Sequence, residues 1–479
     1  MRQAGIVSLV ALLAILLELT NGCMVGPNYR RPVVNAPVSY RGAAGAGEGQ
    51  PLGARKWDTV FTDPVLQALI AEALKNNFDV KIAADRVLEQ EAQVGIARAA
   101  QYPSLSAGAS LDALGLPSGG LLGGSSNSTS SAGAGNSGHT YITSGGFSIS
   151  PSWNLDFWGY YRRQTESARA QLQAYKWAQQ VTFSTLVEDV ATSYYQLRTL
   201  DAQLEITFKT LEDRKQSLNL TTTLEQGGGG TLADVRQAEE LFFTAQAQIP
   251  DLQRQIQQQE NGLSILLGHA PESIKRGGSI ADVAHPVEVP VGLPSELLER
   301  RPDILRAEEL LVQGNANIGV ARAQFFPTIS LSGSGGISSD ALKGLVESKN
   351  LYYYAIGSLT QPIFDGGKLR SNLRLAEAEH KELTDTYQQT IIGALRDVSN
   401  ALVAYRLTRD YRRQQEQVVA SSADAVRLAR ILYSAGTTSY LEVLTNDANL
   451  YSAQLTLQTA EQQEALSMVQ LYNALGGGW

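Results

Sequence analysis

Along two stretches of this chain the apolar residues step alternately by four and three. Phe183, Val187, Val190, Tyr194 and Leu197 form the first series, and Ile391, Leu395, Val398, Leu402 and Tyr405 repeat it 208 residues later. A seam of that spacing predicts helices lying side by side at shallow crossing angles. No proline interrupts Arg163–Leu224 or Arg370–Ala435, so each predicts a helix of about 90–100 Å at 1.5 Å per residue. Shorter helices are expected at about Pro64–Ala100 and Thr231–Leu267, with counterparts at about Glu296–Gln324 and Tyr440–Leu475.

Between the helical stretches the period drops to two. Leu105, Ala107, Ala109 and Leu111 alternate with Ser104, Ser106, Gly108 and Ser110. Phe147, Ile149, Trp153 and Leu155 alternate with Ser148, Ser150, Ser152 and Asn154, and Ile329, Leu331 and Gly333 with Thr328, Ser330, Ser332 and Ser334. A fourth, less regular run covers Tyr354–Ile363. One apolar face and one small polar face over about ten residues suits a strand with lipid on one side and water on the other; a half-buried soluble sheet gives the same alternation. Aromatic residues at the strand ends favour the membrane reading. Phe157, Trp158, Tyr160 and Tyr161 follow the second strand, and Tyr102, Phe325 and Phe326 precede the first and third, where interfacial girdles belong. The Gly/Ser/Asn-rich tract Gly115–Gly146 and the shorter Ser338–Leu351 are expected as surface loops.

The chain says nearly the same thing twice. Glu72/Glu296, Asp79/Asp303, Gly95/Gly319, Arg98/Arg322 and Pro103/Pro327 match at an offset of 224 residues. Gly159/Gly367, Arg162/Arg370, Asp189/Asp397, Gly228/Gly436 and Gly268/Gly476 match at 208. Each copy therefore reads helix, two strands, long helix, helix. Four strands do not close a barrel, and an open edge is not tolerated in lipid, so a spanning chain must oligomerise. Eight, twelve or sixteen strands would all close.

Charge and chemistry narrow the picture. The net charge of −8 and the lack of basic runs argue against a nucleic-acid partner. No other stretch than the N-terminal one approaches a transmembrane helix, and that one is too short to span. Arg2, the apolar Ile6–Leu17 and the small residues before Cys23 read as a cleavable export signal. Leu19–Cys23 resembles a bacterial lipobox, with Thr20 where leucine is usual. That resemblance implies a diacylglycerol and an N-linked acyl chain such as palmitate on Cys23, the only cysteine of the chain. Met24, rather than aspartate, then implies outer-membrane sorting. The glycines Gly227–Gly230 lack the continuation of a phosphate loop. The four histidines have no paired spacing for a metal, and no nucleophile elbow occurs. Neither an enzyme nor a cofactor beyond the lipid is expected.

Longer motifs carry a family resemblance. Cys23–Pro32, Trp57 with Phe61–Leu66, Leu293–Ile304, Phe364–Gly367 and Gly436 with Tyr440–Leu444 resemble the outer-membrane efflux lipoproteins of the TolC/OprM-like family (NodT type), over essentially the whole mature chain. The resemblance implies a mainly α fold with membrane β: a homotrimer with a 12-strand β-barrel in the outer membrane on a 12-helix periplasmic α-barrel. It also implies a periplasmic membrane-fusion adaptor and an inner-membrane resistance-nodulation-division pump, for which the channel is a passive exit for drugs or other small molecules. The chain then divides into a signal peptide 1–22, a lipid-anchored segment 23–63, repeat 1 at 64–268, an inter-repeat equatorial linker 269–293 and repeat 2 at 294–479. Repeat 1 has strands at about 103–113 and 145–156 and a long helix at about 163–224; repeat 2 has strands at about 327–337 and 353–364 and a long helix at about 370–435.

The resemblance places the closed periplasmic tip at the turns Gly227–Thr231 and Gly436–Ser439, and implies gate roles for Leu441, Glu442 and, by the repeat, Asp234. Thr445 stands where relatives often carry aspartate, with Asp447 two positions on. The same carboxylates also fit plain N-terminal partners of helix dipoles. Trp158, Tyr160, Phe325 and Phe326 are expected as interface aromatics. Two other readings share much of this pattern: an exit duct for type I protein secretion, and a structural periplasmic coiled-coil lipoprotein without a pore.

Overall fold

A computed structural model of the chain describes residues 24–34, 37, 39–41, 51–117, 139–278, 290, 292, 294–339 and 347–478. The expected signal peptide and Cys23 lie outside the described residues. The chain forms two compact units: a sheet unit of Met1–Arg30, Glu91–Ala170 and Val312–Glu382, and a helical unit of Arg31–Gln90, Gln171–Leu311 and Leu383–Trp479.

In the sheet unit, β1 (Ser104–Pro117), β2 (His139–Leu155), β3 (Thr328–Ser339) and β4 (Leu351–Thr360) form one antiparallel sheet in sequence order. The register lines up the alternating residues. One rung reads Ala107–Ile149–Gly335–Tyr353 and the next Ala109–Phe147–Ile337–Leu351. The period-two apolar faces of β1–β3 thus merge into one, which Leu351, Tyr353 and Leu359 of β4 extend. Much of it is exposed: Leu105, Leu111, Phe147, Ile149, Leu331, Leu351, Tyr353 and Leu359 are all open. The opposite face is built of short hydroxyls, which bond back to the sheet. Ser104 Oγ donates to Ser152 O (3.2 Å), Ser106 Oγ to Ser150 O (3.1 Å), and Ser150 Oγ to Ser334 Oγ (3.2 Å). β4 breaks the rule, because Tyr354 and Ile356 sit opposite Ser334 and Ser332 on the polar side.

Parts of the expected loops are strand instead. β1 runs on to Pro117 and β2 begins at His139, with Gly115 opposite Tyr141; only residues 118–138 of that tract lie outside the described residues. Backbone pairing needs no side-chain pattern, so a Gly/Ser-rich composition does not end a ladder that the neighbouring strand continues.

Two elements expected as single helices are each broken. α1 (Trp57–Val60) is followed by α2 (Pro64–Asn76) and α3 (Phe78–Ala99), and the second repeat supplies α6 (Pro294–Arg300) and α7 (Pro302–Ala323). Asn77 leaves helical geometry (φ −56°, ψ 137°), and its Oδ1 accepts the amides of Asp79 (2.7 Å) and Val80 (3.2 Å). It caps α3 rather than continuing α2. In repeat 2 the break falls at Arg301 because Pro302 disfavours helix in the residue before it and suits a first helical position.

The long helices are α4 (Tyr160–Gln226) and α8 (Lys368–Ser434), each 67 residues; α5 (Leu232–Leu266) and α9 (Tyr440–Ala474) follow them, each of 35. The two repeats thus match in helix length as well as order. Within the helical unit most seam residues belong to the core, beside Leu66, Ile70, Leu263, Ile304 and Leu471. Val187, Val190, Tyr194, Leu197, Ile391 and Val398 are almost wholly buried, with Leu402 and Tyr405 close behind. No helix among the described residues is long and apolar enough to cross a membrane.

Candidate channel tip and membrane-facing belt

The residues expected at the tip lie at and just after the turns α4–α5 and α8–α9 of the helical unit. Both turns open with a glycine in the left-handed region, Gly228 (φ 75°) and Gly436 (φ 73°), as a helix C-terminus that reverses sharply requires. Behind them, Ala238, Ala429, Tyr440 and Val443 form a small buried cluster flanked by Leu218, Tyr433 and Leu444. Tyr433 and Tyr440 pack at 5.3 Å between ring centroids. Burial pushes the Tyr440 hydroxyl up to about 12, and the neighbouring Asp447 adds to that.

The three expected gate residues are not alike. Asp234 completes a capping box with Thr231: its Oδ2 accepts the Thr231 amide (3.0 Å) and hydroxyl (2.8 Å), and its own amide donates to Thr231 Oγ1 (3.2 Å). Leu441 is 56% exposed. Beside it Glu442 is exposed, and its carboxylate accepts the Thr438 hydroxyl. Leu441 and Glu442 therefore share an open surface at the start of α9, while Asp234 closes onto its own helix start. Thr445 donates to Leu441 O (2.8 Å).

Asp447 is turned away from that surface and buried. Its carboxylate takes Arg214 Nε at 2.8 Å and Arg430 Nη2 at 3.4 Å. Arg214 also donates to Leu241 O (3.0 Å) and lies over the Tyr451 ring. This guanidinium ties α4, α5 and α9 together. Nothing local in the sequence marks it: Arg214 and Asp447 are 233 residues apart.

Elsewhere in the helical unit a cavity of about 540 Å³ is lined by Glu188, Arg301, Asp303, Asp397 and Asn473, among others. Arg301 bonds Asp303 (2.7 Å) and reaches Asp397 at 3.6 Å. Glu188 accepts from Asn473. Burial holds its carboxyl above the usual range; Asn473 opposes this and Asp189 adds to it.

In the sheet unit the expected interface aromatics flank the strands. Trp158 and Phe326 stack at 4.7 Å, and Trp158 Nε1 donates to Pro327 O (2.9 Å). Tyr160 meets Tyr161 edge to face at 5.0 Å. Phe325 lies in the turn before β3, its carbonyl accepting from Gln361 (3.1 Å). The structure thus joins Trp158 to Phe326 across the two repeats, and Tyr160 and Phe325 take other partners. Among the described residues no group of three or more His, Cys, Asp or Glu is placed to hold a metal.

A family model described as outer membrane efflux protein matches residues 69–269 and 293–477, one segment for each repeat. The chain is 33% identical over 468 residues to the cation efflux system protein CusC of Escherichia coli O6:H1, covering 97% of each. It is 35% identical over 469 residues to the toluene efflux pump outer membrane protein TtgI of Pseudomonas putida, again covering 97% of each. It superposes on the outer-membrane channel OprN with a TM-score of 0.85 at 28% identity, over 95% of this chain and all of that one. The fold is that of such a channel, and these relatives are named as efflux proteins. The chain belongs to the outer membrane efflux protein family.

Proposed function

We propose that three copies of this chain form the passive exit duct of a tripartite efflux system, receiving small molecules from an inner-membrane resistance-nodulation-division pump through a periplasmic adaptor. The observation that carries this reading is the sheet: four strands sharing an apolar face on one side, serine hydroxyls of β1–β3 on the other, and unpaired edges at β1 and β4. In lipid such edges must be paired. Three copies pairing β4 of one with β1 of the next would close twelve strands, with water inside and lipid outside.

The division into anchor segment 23–63, repeats 64–268 and 294–479 and linker 269–293 follows the same reading. Cys23 carries the lipid, and Trp158, Tyr160, Phe325 and Phe326 lie at the periplasmic face of the bilayer. Leu441 and Glu442 narrow the resting tip: three symmetry-related carboxylates repel one another and attract a cation. Asp234 supports the ring as a cap. An adaptor opens the tip by binding the open form more tightly than the closed one. The relatives are named for cations and for toluene, so selection among small molecules falls to the pump.

Dye retention in the parent bacterium tests the proposal. Deletion should raise retention and complementation restore it; a deletion strain equally good at exporting every dye and cation challenged would refute it. At the tip, Leu441→Ser combined with Glu442→Gln should raise single-channel conductance several-fold in planar bilayers. An unchanged conductance removes both residues from the gate.

A further inference from the structure

Among the described residues Arg163 heads the fully buried side chains by size, at 1% exposure, and neither the strands nor the expected tip accounts for it. It lies near the start of α4, just after β2, and its guanidinium gathers the segment that follows Cys23. Nε donates to Val25 O (3.3 Å), and Nη2 to Gly26 O (3.4 Å) and to Asn28 Oδ1 (3.1 Å). Nη1 pairs with Glu166 (2.7 Å), which balances the buried charge. Around this centre the segment is held from both repeats. The Val25 amide donates to Trp158 O (3.1 Å), and Asn315 Nδ2 to Pro27 O (3.0 Å).

The approach is close enough to require glycine on both sides. A Cβ on Gly319 would lie 2.8 Å from Arg163 Cδ, and one on Gly26, itself at φ 108°, 2.5 Å from Gly319 Cα. A Cβ on Gly159 would meet Met24 Cγ at 2.7 Å. Gly159 and Gly319 are both among the repeated glycines; in these copies each makes room for this segment, whereas a Cβ on the partners Gly95 and Gly367 would meet nothing within 4 Å. Two pseudo-equivalent positions thus differ because only one copy meets the N-terminal strap.

We infer that Arg163 is a positioning residue that clamps residues 24–28 onto the sheet unit and so fixes where the lipid anchor leaves the protein, beside the Trp158–Phe326 stack. The inference rests on the reading of Cys23 as acylated. Met24, adjoining Cys23, is seated against Gly159, next in sequence to Trp158. Acyl chains carried by the preceding residue therefore enter the bilayer at the level of the aromatic belt, and the anchor and the strands share one membrane depth. Planar, multidentate donation is what suits arginine to this task; an ammonium holds fewer acceptors at once.

The test is hydrogen exchange on full-length protein extracted from outer membranes in mild detergent, for wild type, Arg163→Ala, Arg163→Lys, Asn28→Ala and Cys23→Ser. Losing hydrogen bonds to a charged donor should speed exchange in the peptide covering 24–31 by about tenfold in Arg163→Ala. Arg163→Lys and Asn28→Ala should give smaller increases, while peptides from α8 and from β1–β4 keep wild-type rates. Cys23→Ser should leave the strap protected. Unchanged strap exchange in the Arg163 variants overturns the clamp; a strap released equally by Cys23→Ser assigns the seating to the lipid and also overturns it. Should Arg163→Ala not fold, Arg163→Lys and Asn28→Ala carry the same readout. The mass of the wild-type N-terminal peptide reports acylation separately, so an unmodified Cys23 would defeat the anchor reading while the strap rates still decide the clamp.

Discussion

Five positions separate Glu442 from Asp447, and the helix turns them into opposite environments: Glu442 is exposed at the start of α9, while Asp447 is 8% exposed between two arginines. At about 100° per residue such a separation nearly reverses the direction of the side chain. An acidic residue near the tip is visible in sequence, but its orientation depends on which face of α9 the other helices cover. Arg214 is the sharper case, since its role appears only with its partner. Removing one member of a buried pair strands the other, at a cost of about 3–5 kcal/mol. Arg214→Ala should therefore markedly lower the unfolding temperature of the helical unit, followed by circular dichroism; a melting curve like the wild type's would show the pair to be dispensable. Glu188 gives a pH prediction. Its folded-state carboxyl is raised by burial, so the folded chain holds the proton more tightly than the unfolded one. This contribution to stability is complete below the unfolded value and is lost as pH rises through the folded one. Glu188→Gln keeps an acceptor for Asn473 without the charge. It should flatten the decline in melting temperature from about pH 4 upward; an unaltered pH profile would assign that decline to other groups.

At the scale of elements, the glycines of the repeat were the most informative letters. Gly159/Gly367, Gly228/Gly436 and Gly268/Gly476 all take positive φ, between 73° and 88°. Side chains are strained there, and both copies need the same reversals. At Gly268 there is no room either, since a Cβ would lie 2.6 Å from Asn76 O; Gly268→Ala should thus destabilise the helical unit more than Gly436→Ala, whose site is open, and denaturant titration would reveal equal losses if the backbone alone mattered. Helix continuity was less legible. The apolar pattern runs through both Asn77 and Arg301, because residues on either side of each break still face the core. The signals for a stop are chemical, a capping asparagine and an X-Pro step. Asn77→Ala removes the two amide bonds that start α3 and the donor to Leu266 O (2.9 Å). It should cost about 1–2 kcal/mol, measurable in the same titration; no loss would show that α2 and α3 can fuse without penalty.

For the molecule as a whole, the open sheet edges set the central prediction. Cysteines scanned along Ser104–Ser110 of β1 and Ser358–Thr360 of β4, in a background with Cys23 changed to serine, should crosslink between chains, because facing Cβ atoms across an antiparallel pair lie about 4.5–5.5 Å apart. Bands ending at three chains on denaturing gels indicate a closed ring. A longer ladder, or no crosslink at any pairing, contradicts a closed trimer.

Sequence alone determined the duplication, the seams and the two-faced strands, since these follow from residue order and the fixed periods of helix and strand. It also marked the sites of chain reversal through glycine. Tertiary structure decided which polar residues are spent inside: Asp447 on Arg214, Arg163 on the N-terminal strap, Glu188 on Asn473. Each of those partnerships joins positions remote in the chain, and no local period records a contact made only when separate elements pack.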